Sequence, residues 1–215
     1  MPGAENLLGR QPESLRLGRM LAEDTECAAV VSGEPGVGKT ALIDQMCARA
    51  AGGGWQVVRI LGVQAEEPFA LGGLNQLVLA MKEFQADVDA KDRAVLGPVF
   101  GGEPDSEVAV LPLVMAVLNL LAAAGHTQPV LLVVDDVHWL DRVSAQVLAA
   151  VGRRLTHPRV RIVAGLRTSY ESAFSSAGWS AVELAPLDAE DSVRMLERTG
   201  LPLPAATRTA ILAAA

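Results

Sequence analysis

Basic residues are scarce in this sequence relative to acidic ones. Its 215 residues include 18 Lys and Arg against 25 Asp and Glu, which gives a net charge of −7. A domain that holds nucleic acid by its phosphates carries the opposite excess of charge. We therefore expect no direct DNA binding by this segment.

Cysteines are equally few, and an export signal is lacking. Cys27 and Cys47 both fall in apolar segments, which indicates small buried side chains in a reducing compartment, and neither a disulfide nor part of a metal site. Residues 1–10 lack the basic-then-apolar pattern of a signal peptide. These features predict a cytoplasmic location.

Long apolar runs are limited to one stretch, Val108–Ala124, which has 17 residues and contains Pro112 and Asn119. A membrane-spanning helix needs about 20 predominantly apolar residues. The stretch is therefore predicted to be a buried core helix, and no membrane association is expected.

What the sequence does contain is an alternation of strand-like and helical runs, which is typical of a doubly wound parallel α/β sheet. The predicted strands are Glu26–Val31, Gln56–Leu61, Val130–Val134, Arg159–Ala164 and Ala181–Leu184. The predicted helices between them are Lys39–Ala51, Leu71–Met81, Val108–Ala124 and Ser144–Leu155.

Two regions depart from this alternation. Residues 91–107 contain three glycines, two prolines and scattered charge, which predicts a mobile excursion. After Leu187, two helical segments, Asp188–Arg198 and Ala205–Ala214, follow each other without another strand. We therefore predict a main domain over residues 1–186 and the start of a truncated helical subdomain over residues 187–215.

A glycine-rich segment follows the first predicted strand. Gly33, Gly38, Lys39 and Thr40 satisfy the pattern G-x-x-x-x-G-K-[ST] between a strand and a helix. Glycines let consecutive backbone N–H groups point at phosphate oxygens, and the following helix adds its positive end. Lys39 would reach the β- and γ-phosphates of a nucleotide, and the Thr40 hydroxyl would bind Mg²⁺. The alternative is a glycine-rich structural turn. The predicted nucleotide contacts are Gly33, Glu34, Pro35, Gly36, Val37, Gly38, Lys39, Thr40 and Ala41.

Two acids end the apolar run that begins at Val130. A carboxylate at the end of a buried strand is costly unless a metal or hydrogen bonds receive it. Asp135 is predicted to bind the magnesium, and Asp136 to orient the attacking water. The alternative is that these acids cap the next helix, and for Asp141 capping is as good an interpretation as a functional role.

Arg167 and His138 each have two interpretations on sequence grounds. Arg167 follows the strand Arg159–Ala164, where a cation could neutralise the γ-phosphate or could simply be solvated. His138 has no second His or Cys at metal-ligand spacing, which favours packing or hydrogen bonding over metal binding.

Five segments together carry a resemblance over nearly the whole chain: Leu7–Arg10, Gly33–Thr40, "EEPFALGGLNQLV" (66–78), "LLVVDDVHWLD" (131–141) and "ELAPLDAEDSVRML" from Glu183. The sequence resembles the AAA-type ATPase module of STAND regulators, and most of all the large ATP-binding LuxR-type (LAL) transcriptional regulators of actinobacteria.

The resemblance implies a P-loop NTPase fold of about five strands in the order 5-1-4-3-2. It implies a switch that opens and self-associates with ATP and closes with ADP, within a longer regulator that has sensor and helix-turn-helix regions. Leu8 and Arg10 would lie near the adenine and ribose, and Arg167 would read the γ-phosphate. Asp136 stands where vigorous AAA⁺ machines have glutamate, so slow hydrolysis is expected.

Three functions are therefore considered. The first is an ATP-hydrolysing switch that uses Mg²⁺, with Asp136, Lys39 and Arg167 as the catalytic residues. The second is a module that binds ATP or ADP without useful hydrolysis. The third is a P-loop small-molecule kinase, which is disfavoured because no Arg-rich lid lies between the phosphate motifs.

Overall fold

The predicted alternation of strands and helices is present in a computed structural model, which describes residues 7–23, 26–100, 109–201 and 204–214. The elements in chain order are α1 (Gln11–Ala22), β1 (Ala28–Gly33), α2 (Lys39–Gly52), β2 (Gln56–Leu61), α3 (Gly72–Ala80), α4 (Ala90–Leu96), α5 (Val110–Thr127), β3 (Val130–Asp135), α6 (Arg142–Arg154), β4 (Val160–Arg167), β5 (Ser180–Leu184), α7 (Ala189–Arg198) and α8 (Ala205–Ala214).

The five strands form one parallel sheet in the order β2-β3-β4-β1-β5. Read from the other edge, this is the predicted order 5-1-4-3-2, so the predicted fold class is confirmed. Because all strands run the same way, their carboxyl ends share one edge of the sheet, where ligands bind in folds of this kind.

Side-chain alternation along the strands builds two cores. Along β3, Leu131 and Val133 face one core with α1 and α2, whereas Val130, Leu132 and Val134 face the other with α3 to α6. Successive side chains in a strand point to opposite faces of the sheet, so a strand covered on both faces must be apolar throughout. The unbroken apolar run before Asp135 is explained in this way.

Two helices were missed by sequence analysis, and α1 is the first. It buries only Leu17 and Met20, so its apolar stripe is too short to produce a clear helical periodicity. Its contacts with α2 provide the packing that stabilises a helix of this length.

The second missed helix corrects the prediction of a mobile excursion over residues 91–107. Residues 90–96 form α4, and a 3₁₀ turn follows over Gly97–Phe100. Asp89 caps α4 by accepting from Asp92 N at 2.8 Å, and Asn119 of α5 donates to Asp92 Oδ2 at 2.6 Å. Capping and cross-helix bonding order this stretch despite its turn-rich composition. Residues 101–107 lie outside the described residues.

The long apolar run forms α5, which begins two residues later than predicted; Val108 lies outside the described residues. By length and composition alone this helix could cross a membrane, and 44% of its apolar window is buried. Its inner face, including Leu113, Leu120 and Leu121, is buried against the sheet and the neighbouring helices α4 and α6. It is thus a core helix, as predicted from the sequence.

Cys27 and Cys47 are both free, and both are half-buried rather than fully buried as predicted. Arg59 donates to the Cys47 Sγ at 3.4 Å. Burial raises the pKa of the Cys47 thiol, which keeps it protonated and unreactive at neutral pH.

A buried arginine ties α1 to β4. Arg161 is 1% exposed. Its guanidinium donates to backbone carbonyls at the end of α1 and at the start of β4. The acceptors are Met20 O at 2.6 Å, Pro158 O at 2.8 Å, and Glu23 O and Val160 O at 3.0 Å. The positive charge lies at the carboxyl end of α1, where the helix dipole favours it.

Replacing Arg161 by methionine is expected to lower the free energy of unfolding by about 3 kcal/mol, because buried carbonyls lose their donors. Urea denaturation of the variant beside the parent measures this. Arg153→Met, on the exposed side of α6, is the matched control and is expected to change stability by less than about 0.5 kcal/mol. Equal stability of both variants would show that the carbonyls find other partners.

Candidate functional site

The glycine-rich loop begins at the carboxyl end of β1. Gly36 and Gly38 have φ values of 79° and 100°, a backbone conformation that strains other residues. A Cβ atom on Gly33 would lie 2.8 Å from the carbonyl oxygen of Leu184, so the loop starts in close contact with β5. The pattern Gly-x-x-x-x-Gly thus has a geometric cause at each of its glycines.

Lys39 lies inside this loop. Lys39 is 8% exposed, and its Nζ donates to Gly33 O at 2.9 Å and to Glu34 O at 2.8 Å. Burial, with a smaller contribution from Arg167, lowers the pKa of Lys39. An ammonium group has three protons, so two bonds to the loop leave one donor for a ligand at its centre.

Asp135 is the last residue of β3 and is 4% exposed. One carboxylate oxygen, Oδ1, accepts from Asp136 N at 3.0 Å. Burial raises the pKa of Asp135. A Cβ on Gly165 of β4 would lie 2.6 Å from Oδ1, so a glycine in this buried strand makes the room that the carboxylate occupies.

Asp136 turns the chain away from the sheet in a left-handed conformation, with φ 49°. Gly62 permits this turn, because a Cβ there would lie 2.1 Å from the Asp136 carbonyl oxygen. The carboxylate Oδ1 lies 3.9 Å from Arg167 Nε and 3.7 Å from His138 Nε2. Arg167 is the last residue of β4 rather than a residue beyond it, and it faces Asp136 across the strand ends.

His138 belongs to a cluster of three rings with Trp139 and Tyr170, which is the packing role that the sequence offered as an alternative to metal binding. Its ring centroid lies 4.8 Å from that of Tyr170 and 5.0 Å from that of Trp139. Within the described residues neither ring nitrogen has a hydrogen-bond partner. Burial lowers the pKa of His138, which favours the neutral ring beside Asp136.

The segment before α1 lies between the loop and α7. Arg10 is 6% exposed, and its guanidinium donates to Val37 O at 3.0 Å and Ala185 O at 2.7 Å. A Cβ on Gly9 would lie 2.6 Å from the Asp191 carboxylate. Leu8 is half-buried in the same turn. Contact of Leu8 and Arg10 with a nucleotide stays a prediction.

Comparison with known proteins places these residues in a family. The family model described as the AAA ATPase domain matches residues 6–163, which is well over half of the chain and includes the loop and both acids. The chain belongs to the AAA ATPase domain family. It is therefore a nucleotide-binding ATPase module. A search among curated proteins gives no match.

Solved structures similar to this AAA domain share its fold at low sequence identity. The Walker-type ATPase PABY2304 of Pyrococcus abyssi has 18% identity and a TM-score of 0.56, with 98% of this chain and 63% of that chain covered. AMPPCP-bound DnaA from Aquifex aeolicus has 16% identity and a TM-score of 0.55, with 97% and 58% covered. Drosophila ORC bound to DNA has 18% identity and a TM-score of 0.51, with 88% and 46% covered. The chain thus spans about three fifths or less of the length of these structures.

The residues of the AAA domain fit a magnesium ion that is shared with phosphate. Thr40 and Ala41 lie exposed in the first turn of α2, and Asp135 is a buried carboxylate with one hydrogen bond from Asp136. Among the described residues there is no group of three or more His, Cys, Asp or Glu side chains that could hold a metal. Mg²⁺ in nucleotide sites needs only one or two protein oxygens beside phosphates and water.

Asp141 has a structural role, which decides between the two interpretations that the sequence left open. It is 4% exposed and caps α6 by accepting from Ser144 N at 2.9 Å. It also accepts from Leu71 N at 3.0 Å and Gly73 N at 3.1 Å, at the start of α3. Asp141 of the "WLD" segment therefore joins the start of α6 to the "FALGG" segment at the start of α3.

Asp141→Ala is expected to lower the free energy of unfolding by about 3 kcal/mol, because three buried N–H groups lose their acceptor. Asp188 is the control: it caps only the exposed helix α7, by accepting from Asp191 N at 2.7 Å. Asp188→Ala should cost about 1 kcal/mol or less. Denaturant unfolding compares the two variants, and an equal effect would mean that the bonds to α3 add nothing.

Several residues of the site were not found from the sequence. Gly62 and Gly165 make room for Asp136 and Asp135, and Tyr170 covers His138. A glycine inside a buried strand is a signal of close approach, but the predicted strand ended at Ala164, so Gly165 fell just outside it. Gly62 and Tyr170 carry no local pattern that predicts their contacts.

Proposed function

We propose that this AAA domain is an ATP-binding and slowly ATP-hydrolysing switch, and that it forms the nucleotide-binding part of a bacterial LuxR-type (LAL) transcriptional regulator of the STAND class. One observation carries the proposal: Lys39, Asp135, Asp136 and Arg167 converge at the carboxyl edge of the sheet. Catalysis of phosphoryl transfer rests on positioning and charge neutralisation, and these four residues would provide both.

Nucleotide binding would begin at the loop. Its backbone N–H groups and the start of α2 would receive the phosphates, and Lys39 would add its remaining donor. The Arg10 guanidinium donates to the Val37 carbonyl of the loop, so we propose that Arg10 positions the loop. Its contact with adenine and ribose, together with that of Leu8, belongs to the same proposal.

Thr40 and Asp135 would hold Mg²⁺, directly or through water. When bound, the ion neutralises the charge of the β- and γ-phosphate oxygens and orients them. Asp135 is suited to this role because its raised pKa reflects a buried carboxylate that a cation would stabilise.

Hydrolysis would use Asp136 and Arg167. Asp136 orients a water whose oxygen bonds to the γ-phosphorus while the bond from phosphorus to the bridging oxygen of ADP breaks. One proton of the water leaves through Asp136 to solvent, and the products are ADP and inorganic phosphate. Lys39 and Arg167 balance the charge on the γ-phosphate oxygens. The neutral, tightly packed His138 limits the positions that the Asp136 carboxylate can take.

Switching needs a physical path from the nucleotide to the rest of the protein. The turn at Gly9 lies against Asp191 of α7, while Arg10 links the loop to the end of β5 through Ala185. We propose that residues 187–215 begin the helical subdomain that moves with nucleotide state. We also propose that the domain self-associates when it binds ATP and that the protein is cytoplasmic. The sensor and helix-turn-helix regions would lie elsewhere in the regulator.

Direct DNA binding by this segment is not part of the proposal. Structures of DnaA bound to AMPPCP and single-stranded DNA and of Drosophila ORC bound to DNA are among the fold neighbours. The net charge of −7 opposes a similar contact here.

A second candidate is a module that binds ATP or ADP without hydrolysis. The observation that favours it is the 3.9 Å approach of Arg167 Nε to Asp136 Oδ1, because a carboxylate paired with a cation is a weaker partner for water. A small-molecule kinase remains the third function, and no contact among the described residues favours it over the first two.

The test combines melting with single-turnover phosphate release, using enzyme in excess over Mg·ATP. A hydrolytic switch is stabilised by both ATP and ADP and releases phosphate. Stabilisation by both nucleotides without phosphate release would favour the second candidate. No stabilisation by either nucleotide would overturn both.

A further inference from the structure

The carboxyl end of β4 has strand partners on one side only. In the described sheet, pairing between β3 and β4 ends at Val134 and Ala164, whereas pairing between β1 and β4 continues to Gly33 and Arg167. The last three residues of β4 therefore lack the second ladder that holds the rest of the strand. Arg167 stands at the end of this less supported stretch.

Side chains from the loop and from the residue after Arg167 meet at this point. Thr168 Oγ1 donates to Glu34 Oε1 at 2.5 Å, and Thr168 N donates to Gly33 O at 3.3 Å. The first bond has a carboxylate acceptor, and hydrogen bonds to carboxylates are stronger than those between neutral groups. The backbone bond is long and correspondingly weak. The side-chain bond is thus the firmer of the two links between the loop and the end of β4.

We propose that Glu34 and Thr168 are a positioning pair that fixes Arg167 relative to the phosphate loop, and so sets how well the site distinguishes ATP from ADP. Arg167 precedes Thr168 directly, so a shift of the chain at Thr168 moves the guanidinium beside Asp136. This inference rests on the proposed function, because it needs Arg167 to act on a γ-phosphate.

The pair also controls where a negative charge lies. Lys39 Nζ donates to the carbonyl of Glu34 at 2.8 Å, so the Glu34 side chain starts beside the phosphate site. The hydrogen bond from Thr168 holds its carboxylate at the end of β4. A carboxylate released from that bond would sample positions near the γ-phosphate, where like charges repel. Loss of the pair should therefore affect ATP more than ADP.

The first variant is Thr168→Val, which keeps the shape of the side chain and removes the hydroxyl. We expect single-turnover phosphate release to become about tenfold slower, and the ratio of ADP to ATP dissociation constants to fall about tenfold. ADP affinity and the melting temperature should stay near those of the parent, because the bond is exposed. Thr168→Ser restores the hydroxyl and should recover most of the loss.

Two further variants separate positioning from general disturbance. Glu34→Ala removes the bond without releasing a carboxylate, so it should reproduce the slower phosphate release and only part of the loss of ATP preference. The double variant Glu34→Ala/Thr168→Val should be no worse than the more affected single variant. Thr209→Val removes a threonine hydroxyl bond of 3.1 Å to Ala205 O in α8, far along the chain from the loop. It should leave both readouts unchanged.

The outcomes distinguish the two proposals. If the parent binds ATP and Thr168→Val matches it within twofold in phosphate release and ATP preference, the positioning role is wrong and the proposed function stands. If the parent binds ATP without hydrolysing it, the ratio of dissociation constants alone decides the inference. A parent that binds neither nucleotide overturns both.

Discussion

Lys39→Ala is expected to weaken ATP binding by at least about a hundredfold. The lysine lies inside the loop with its ammonium group 2.9 Å from Gly33 O and 2.8 Å from Glu34 O. Charge-assisted hydrogen bonds to phosphate oxygens contribute about 1.5 to 3 kcal/mol each. Loss of one such bond, together with the loop support, corresponds to about two orders of magnitude in the dissociation constant.

Isothermal titration with ATP and with ADP measures this effect. Lys82→Ala is the matched control, since Lys82 is an exposed lysine in the turn after α3 and should bind like the parent. Melting without nucleotide shows whether the Lys39 variant folds. A folded Lys39→Ala protein that binds ATP as tightly as Lys82→Ala would refute the assignment of the loop.

Asp136→Asn is expected to keep ATP affinity within about threefold of the parent and to slow phosphate release by about a hundredfold or more. An amide has nearly the shape of a carboxylate but cannot take a proton from water. Asparagine also tolerates the left-handed conformation at this position, φ 49°, better than most residues. The substitution thus removes the charge while it leaves the turn at Gly62 intact.

Single-turnover phosphate release, with enzyme in excess over Mg·ATP, measures the effect. Asp44→Asn provides the control, because Asp44 lies exposed on α2 and its carboxylate pairs with Arg59 rather than with Asp136 or Arg167. Release by the parent and by Asp44→Asn, but not by Asp136→Asn, would place the water at Asp136. Equal release by all three proteins would assign water activation to another group.

The parts of the fold that the sequence predicted are those with a local cause. Strands buried on both faces appear as unbroken apolar runs, and the segment from Gly33 to Thr40 contains its own turn geometry and helix start. The sheet order follows from the resemblance rather than from periodicity, and the structure confirms it. Boundaries were less accurate, as β4 shows by its extension to Arg167.

The parts that could not be predicted depend on contacts between distant segments. Thr168 meets Glu34 across 134 residues, and Asp141 meets Leu71 across 70 residues. Nothing near these residues in sequence specifies the partner, because the contact exists only once the strands have paired. The same reason explains why α1 was not predicted, because its two buried side chains, Leu17 and Met20, are buried once α1 packs on α2.

Arg161 determines how far this AAA domain can be shortened for study in isolation. Two of its carbonyl acceptors, Met20 and Glu23, come from α1 and the residue that follows it. A fragment that starts at β1 would leave the Arg161 cation at the start of β4 without those acceptors. It would also expose the apolar face of α2 that packs on α1. We expect such a fragment to aggregate during expression, whereas one that retains α1 should yield material suitable for nucleotide titration.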